Sequence, residues 1–172
     1  YIYLILNNMN LSLPKAVISA SKRIRPFIRK TYFTYSHNFS DFLNADVRFK
    51  MENLQVTGSF KARGAVNKLL SLSEKQRGKG VVSASTGNHG AAVAYAAQKL
   101  DSPCSIFVPK DASKAKLKNI KNYGAQIEVY GQDCVESELK ARDIAKDSGQ
   151  AYISPYNDPL VLAGQGTIGF EI

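Results

Sequence analysis

Apolar positions along this chain switch repeatedly between two spacings. Val47, Phe49 and Met51 alternate with Arg48 and Lys50, the period of a half-buried strand. After the turn Thr57-Gly58-Ser59, the residues Ala62, Ala65, Val66, Leu69 and Leu70 recur at helical spacing, so a helix begins close to Lys61. Gly78 and Gly80 break the chain. Val81 to Ser85 reads as a short strand, Thr86 to Gly90 as a tight loop, and Ala91 to Leu100 as an alanine-rich helix. The alternation goes on. Ser105 to Val108 is a strand ending at Pro109, and Lys114 to Asn122 is a helix stopped by Gly124. Gln126 to Tyr130 is a strand, and Val135 to Lys146 a helix ending near Gly149. Ala151 to Ser154 is a last strand before Pro155, and Ile172 falls in a further helix. Strands alternating with helices of this length predict βαβ units, hence an α/β doubly wound parallel sheet. Such sheets bind ligands at the carboxyl ends of their strands.

Composition narrows the chemistry. With 172 residues and 44% apolar content, the chain has material for a sizeable core. No apolar run approaches the roughly 20 residues of a membrane helix. Cys104 and Cys134 lack the paired spacing of a zinc site, and His37 and His89 alone make no histidine-rich metal centre, so no metal is expected. The net charge is +9. Its densest cluster is Lys110, Lys114, Lys116, Lys118 and Lys121, in which 114, 118 and 121 share one helix face opposite Leu117 and Ile120. No aromatic residues interleave with those lysines, which argues against a nucleic-acid platform.

Two loops carry candidate chemistry. In Thr57-Gly58-Ser59-Phe60-Lys61 a lysine falls in the first turn of a helix, where the dipole disfavours its charge. A lysine so placed is readier to act as an amine nucleophile, although a solvated lysine fits the same pattern. In Ser83-Ala84-Ser85-Thr86-Gly87-Asn88-His89-Gly90 a strand meets a helix N-terminus. Its amides can hold a carboxylate or phosphate, or its polar side chains can serve simply as a cap. His89 alone fits a structural histidine. The run Gly164-Gln165-Gly166-Thr167-Ile168-Gly169 matches G-x-G-x-x-G but lacks the strand before it and the acid after it that a dinucleotide site needs.

Three stretches together resemble the fold-type II pyridoxal-phosphate enzymes. They are Glu52 to Ala65, Ser85 to Gly90, and Ala163 to Thr167, in matching order and spacing. Within that group the chain is most similar to the threonine/serine dehydratase and serine racemase branch, with Ala62 where cysteine and threonine synthases usually carry Asp. The resemblance implies a tryptophan synthase β-like α/β fold, incomplete at its C-terminus, with pyridoxal 5′-phosphate as cofactor. It implies that Lys61 forms the Schiff base, that Phe60 packs near the ring, and that Asn88 bonds its phenolic oxygen. Ser85, Thr86, Gly87, Asn88 and His89 would bind the substrate carboxylate. The implied activity is removal of water and ammonia from a small hydroxy amino acid such as threonine or serine, giving a 2-oxo acid. Racemisation is the alternative, with the Thr86 hydroxyl where racemase-like relatives often carry Ser and dehydratases Ala; an inactive truncated paralogue is another.

The same resemblance divides the chain. Residues 1–72 would begin a large domain, with 1–8 not native, residues 73–158 would form a small α/β domain, and residues 159–172 would return to the large one. A cytoplasmic homo-oligomer, dimer or tetramer, is expected, with no membrane or nucleic-acid partner.

Overall fold

The computed structural model describes residues 12–172. The stretch expected to be non-native, 1–8, lies outside the described residues. Helix α1 (Leu13–Ile24) buries Val17, Ala20 and Ile24, a helical spacing, and Pro14 opens it in the first turn, where no amide is lost. A two-stranded antiparallel ribbon follows, β1 (Phe33–Tyr35) with β2 (Arg48–Lys50), joined by α2 (His37–Leu43). The expected strand around Phe49 is therefore real but short.

The remaining elements alternate. They are α3 (Lys61–Leu70), α4 (Glu74–Lys79), β3 (Val81–Ala84), α5 (Asn88–Lys99), β4 (Cys104–Val108), α6 (Lys114–Asn122), β5 (Gln126–Val129), α7 (Cys134–Ser148), β6 (Ala151–Tyr152) and α8 (Pro159–Gly166). β3 to β6 form one parallel sheet in the order β5-β4-β3-β6. The chain steps from β3 to β4 to β5 and then crosses back along α7 to place β6 on the far side of β3. The strand order thus reverses at β3 and β6, and their carboxyl ends open onto one crevice.

Successive strand residues serve opposite faces. Val81, Ile106 and Val108 pack with α5 and Ile120 of α6, while Val82 and Phe107 meet Ala141 and Ala145 of α7. A fully buried side chain such as Ile106 contributes roughly 1.5–3 kcal/mol. α5 is buried almost all round through Ala92, Val93, Ala94, Ala96 and Ala97, which suits a helix between the sheet and α3. Lys114, Lys118 and Lys121 of α6 are exposed.

Three boundaries depart from the sequence reading. α5 begins at Asn88, so the second half of the expected loop is already helix. β6 stops at Tyr152, because the Ile153 carbonyl is taken by the Ser83 hydroxyl and the His89 ring. The helix expected around Ile172 ends at Gly166 and tightens into a 3₁₀ turn, Thr167–Phe170. There the Thr167 hydroxyl donates to the Gly164 carbonyl, and Glu171 turns in toward Arg63.

Candidate active site

Lys61 is the first residue of α3, reached from a turn whose Gly58 has a positive φ of 71°. The side chain is half-buried and turns inward. Its Nζ donates to the Pro155 carbonyl at 2.9 Å and lies 5.4 Å from the Phe60 ring centre. Burial lowers its pKa, and none of the ion pairs among the described residues includes it. A neutral carbonyl thus holds an amine whose charge is disfavoured. That is how an amine is kept available as a nucleophile. Phe60 is partly exposed beside it.

The second loop closes the crevice from β3. Gly87 is the N-cap of α5, and no side chain caps the helix. The Ser85 hydroxyl instead accepts from the Gly87 amide at 3.2 Å, inside the loop. The first intrahelical donor is Ala91, to the Gly87 carbonyl. The amides ahead of it form an uncapped positive helix end. Gly90 makes this packing possible: a Cβ there would lie 2.5 Å from the Ser85 carbonyl oxygen. Asn88 is exposed, and Ser85, Thr86 and Gly87 are half-buried.

His89 is buried at 4% exposure. Its Nε2 lies 3.1 Å from the Ile153 carbonyl, a contact that requires the proton on Nε2 and leaves Nδ1 as a bare acceptor without a partner. Burial is the main cause that takes its pKa down to about 4, with the Lys61 charge adding to it. The residue next to Asn88 therefore reaches Ile153, and Lys61 reaches Pro155, two residues further along the same segment. The two expected loops thus both bond to the Ile153–Pro155 segment that follows β6.

A scan of family models matches residues 24–172 to one described as "Pyridoxal-phosphate dependent enzyme". The chain belongs to the family of pyridoxal-phosphate dependent enzymes. An L-threonine ammonia-lyase of Thermotoga maritima is 43% identical over 153 residues, which cover 89% of this chain and 38% of that protein. Maize serine racemase superposes with a TM-score of 0.87 at 34% identity over 91% of this chain and 47% of its own. Threonine deaminase isoform 2 of Solanum lycopersicum gives 0.88 at 32% identity over 92% and 47%. The chain spans less than half the length of these relatives. The α/β fold expected from the sequence is that of the fold-type II enzymes these superpositions represent.

The residues present fit part of a pyridoxal-phosphate site. The cofactor's aldehyde requires an amine free of a carboxylate partner, and Lys61 is one. A Cβ on Gly87 would meet nothing within 4 Å, so the helix end is open to a ligand.

This member of the family also holds residues that spacing did not single out. Arg63, two positions past Lys61, is fully buried. It donates to Glu52 at 2.8 and 2.9 Å, to Glu171 at 2.8 and 3.0 Å, and to Thr167 at 3.2 Å. Lys50 adds a 2.6 Å bond to Glu171, and the Thr31 hydroxyl one of 2.6 Å to Glu52. Burial tends to raise both carboxyl pKa values, yet the Arg63 bonds outweigh it and hold both below the ordinary range. The only signal for this in the sequence is a charged residue within an apolar helical run.

The glycine-rich run 164–169 has a packing role. A Cβ on Gly164 would lie 2.5 Å from the Arg63 carbonyl oxygen and 2.7 Å from the Gly64 Cα, so α3 and α8 touch backbone to backbone. A cavity of about 300 Å³ between α1 and the 3₁₀ turn, lined by Arg25, Lys30, Phe170 and Glu171 among others, includes no residue of the Lys61 crevice.

Proposed function

We propose that this chain carries the lysine-bearing part of an ammonia-lyase that removes water and ammonia from a small hydroxy amino acid such as threonine or serine. The observation that carries the reading is the Lys61 amine, its pKa lowered by burial and paired with no carboxylate among the described residues, bonded to the same Ile153–Pro155 segment that His89 of α5 meets beside the uncapped N-terminus of that helix. The similarity to L-threonine ammonia-lyase and to threonine deaminase supports the same direction. When bound, pyridoxal phosphate supplies an aldehyde for the amine and a conjugated ring that takes up the electron pair left when a Cα–H bond breaks.

The chain's own residues do the rest. Lys61 would hold the cofactor at its aldehyde, with loss of water, and as a free amine its Nζ would take the Cα proton. The α5 amides at Asn88 and His89, with the Ser85, Thr86 and Gly87 segment, hold the substrate carboxylate. Asn88 would offer its amide to the ring oxygen. Phe60 covers one side of the lysine. Buried neutral His89 adds no charge beside Lys61, so it is burial that favours the amine form of the lysine. The reading carries a homo-oligomer and a cytoplasmic location, both drawn from the family resemblance alone.

The test is covalent. Incubation with pyridoxal phosphate followed by borohydride should fix the cofactor on Lys61, read by peptide mass spectrometry, and Lys61→Ala should abolish that label. The chain should also form a 2-oxo acid from L-threonine or L-serine. Labelling at other lysines while Lys61 stays unmodified would overturn the assignment.

A further inference from the structure

Lys61 and the carbonyl it meets stand on separate segments, and both segments end on the same guanidinium. On the donor side, Glu52 and Arg63 bracket the stretch that contains Lys61. Their paired bonds of 2.8 and 2.9 Å close it into a short loop, with Gln55 further tied to the Arg29 backbone at 2.8 and 2.9 Å. On the acceptor side, the Pro155 loop runs into α8. Asp158 caps that helix and pairs with Lys68 of α3 at 2.6 Å, and the turn that continues α8 delivers Thr167 and Glu171 to Arg63.

All five Arg63 N–H groups are therefore used, three on the acceptor side and two on the donor side. Lys50, Arg63, Glu52 and Glu171 make a neutral buried set of two cations and two anions. Breaking such a set by removing one member strands a buried charge.

We propose that Arg63 is the positioning residue of the Lys61 amine, fixing donor loop and acceptor helix together so that the amine stays aimed into the crevice. A planar fork with five fixed donors performs this task, and the single ammonium of a lysine does not. The inference rests on the reading of Lys61 as the cofactor lysine.

The experiment is the rate of borohydride-trapped pyridoxal-phosphate labelling at Lys61 in the full chain. It is followed against pH, with the exposed Lys118 and Lys121 labelled in the same tube as references. Arg63→Lys should slow labelling at Lys61 about tenfold or more and change its pH profile, with the references unmoved. Glu171→Gln should slow it in the same direction. Val82→Ala loosens the opposite face of the sheet without touching the network, and it should leave the Lys61 rate unchanged. The proposal is overturned if Arg63→Lys labels Lys61 at the wild-type rate, or if Glu171→Gln does so where Arg63→Lys does not fold. It is also overturned if Val82→Ala slows Lys61 as much as Arg63→Lys does. A wild-type chain labelled at Lys61 with no effect of Arg63→Lys removes this inference alone. A wild-type chain not labelled there removes the functional reading with it.

Discussion

The amine of Lys61 and the carbonyl of Pro155 lie 94 residues apart in sequence and 2.9 Å apart in space. This bond draws the lysine inward, and burial then lowers its pKa. A lowered pKa leaves more of the amine unprotonated at any pH below it. Acetylation with trace acetic anhydride should therefore show Lys61 reacting at lower pH than the exposed Lys118 and Lys121. If Lys61 follows the same pH curve as those two, the amine is not held as described.

His89 makes stability depend on pH in a definite window. Its folded pKa of about 4 lies below the ordinary value of about 6.5, so the unfolded chain binds the proton first as pH falls. The folded state loses stability from about pH 6.5 down to pH 4, by about 3 kcal/mol in all. The carboxyls of Glu52 and Glu171 act lower. Their folded pKa values are depressed, so their contribution is present above their unfolded values and lost as pH falls below about 4.5. Urea midpoints should thus drop between pH 6.5 and 5 in the wild type. In His89→Gln the curve should be flat over that interval, at a lower absolute level. An equal drop in the variant would assign the effect to other groups.

Two glycine-to-alanine changes should act with opposite signs. At Gly164 a Cβ would press on the Arg63 carbonyl and the Gly64 Cα, backbone atoms that cannot step aside. Gly164→Ala should cost about 1–3 kcal/mol or more in urea unfolding. Gly78 lies inside α4 with nothing within 4 Å of its absent Cβ. Gly78→Ala should stabilise by about 0.5–1 kcal/mol. A neutral Gly164→Ala would show that the close approach of α3 and α8 is not required.

How much of this could be read from the sequence follows the range of the interactions. The parallel sheet came through because each βα unit carries its own period, and Gly124 and Gly149 stop α6 and α7. The place of Lys61 came through because the turn and the helix around it are local. β1 did not, since Phe33, Thr34 and Tyr35 are all exposed and carry no alternation of burial. The inward course of Arg63 did not either, because its partners Glu52 and Glu171 lie 11 and 108 residues away. The same distance hid the end of α8, where Glu171 leaves the helical path to meet that guanidinium. The G-x-G-x-x-G run lies in the end of α8 and the 3₁₀ turn after it. Its use in packing α3 on α8 appears only once both helices are in place.

Thr86 offers the sharpest division between the two outcomes open to a carbanion-forming site. It stands half-buried between Ser85 and the Gly87 cap, in the loop that leads into α5, whose His89 bonds the same Ile153–Pro155 segment as Lys61. On the proposed reading, dehydration needs one proton carrier at Cα, and Lys61 is that carrier. Racemisation would need a second on the opposite face, and the family resemblance assigns that role to the Thr86 hydroxyl. Thr86→Ala should lower any racemisation of L-serine by about 100-fold or more, the scale on which a general acid or base acts. It should leave 2-oxo acid formation within about threefold of wild type, since the proton that Lys61 takes from Cα is the one returned to the leaving β-hydroxyl, with no carrier needed on the opposite face. Thr86→Ser, which keeps the hydroxyl, should retain both. Chiral chromatography of the amino acid and a coupled assay of the 2-oxo acid separate the two rates in one sample. Undiminished racemisation in Thr86→Ala would remove Thr86 as the second carrier. A loss of 2-oxo acid as complete as that in Lys61→Ala would place its hydroxyl in the dehydration step instead.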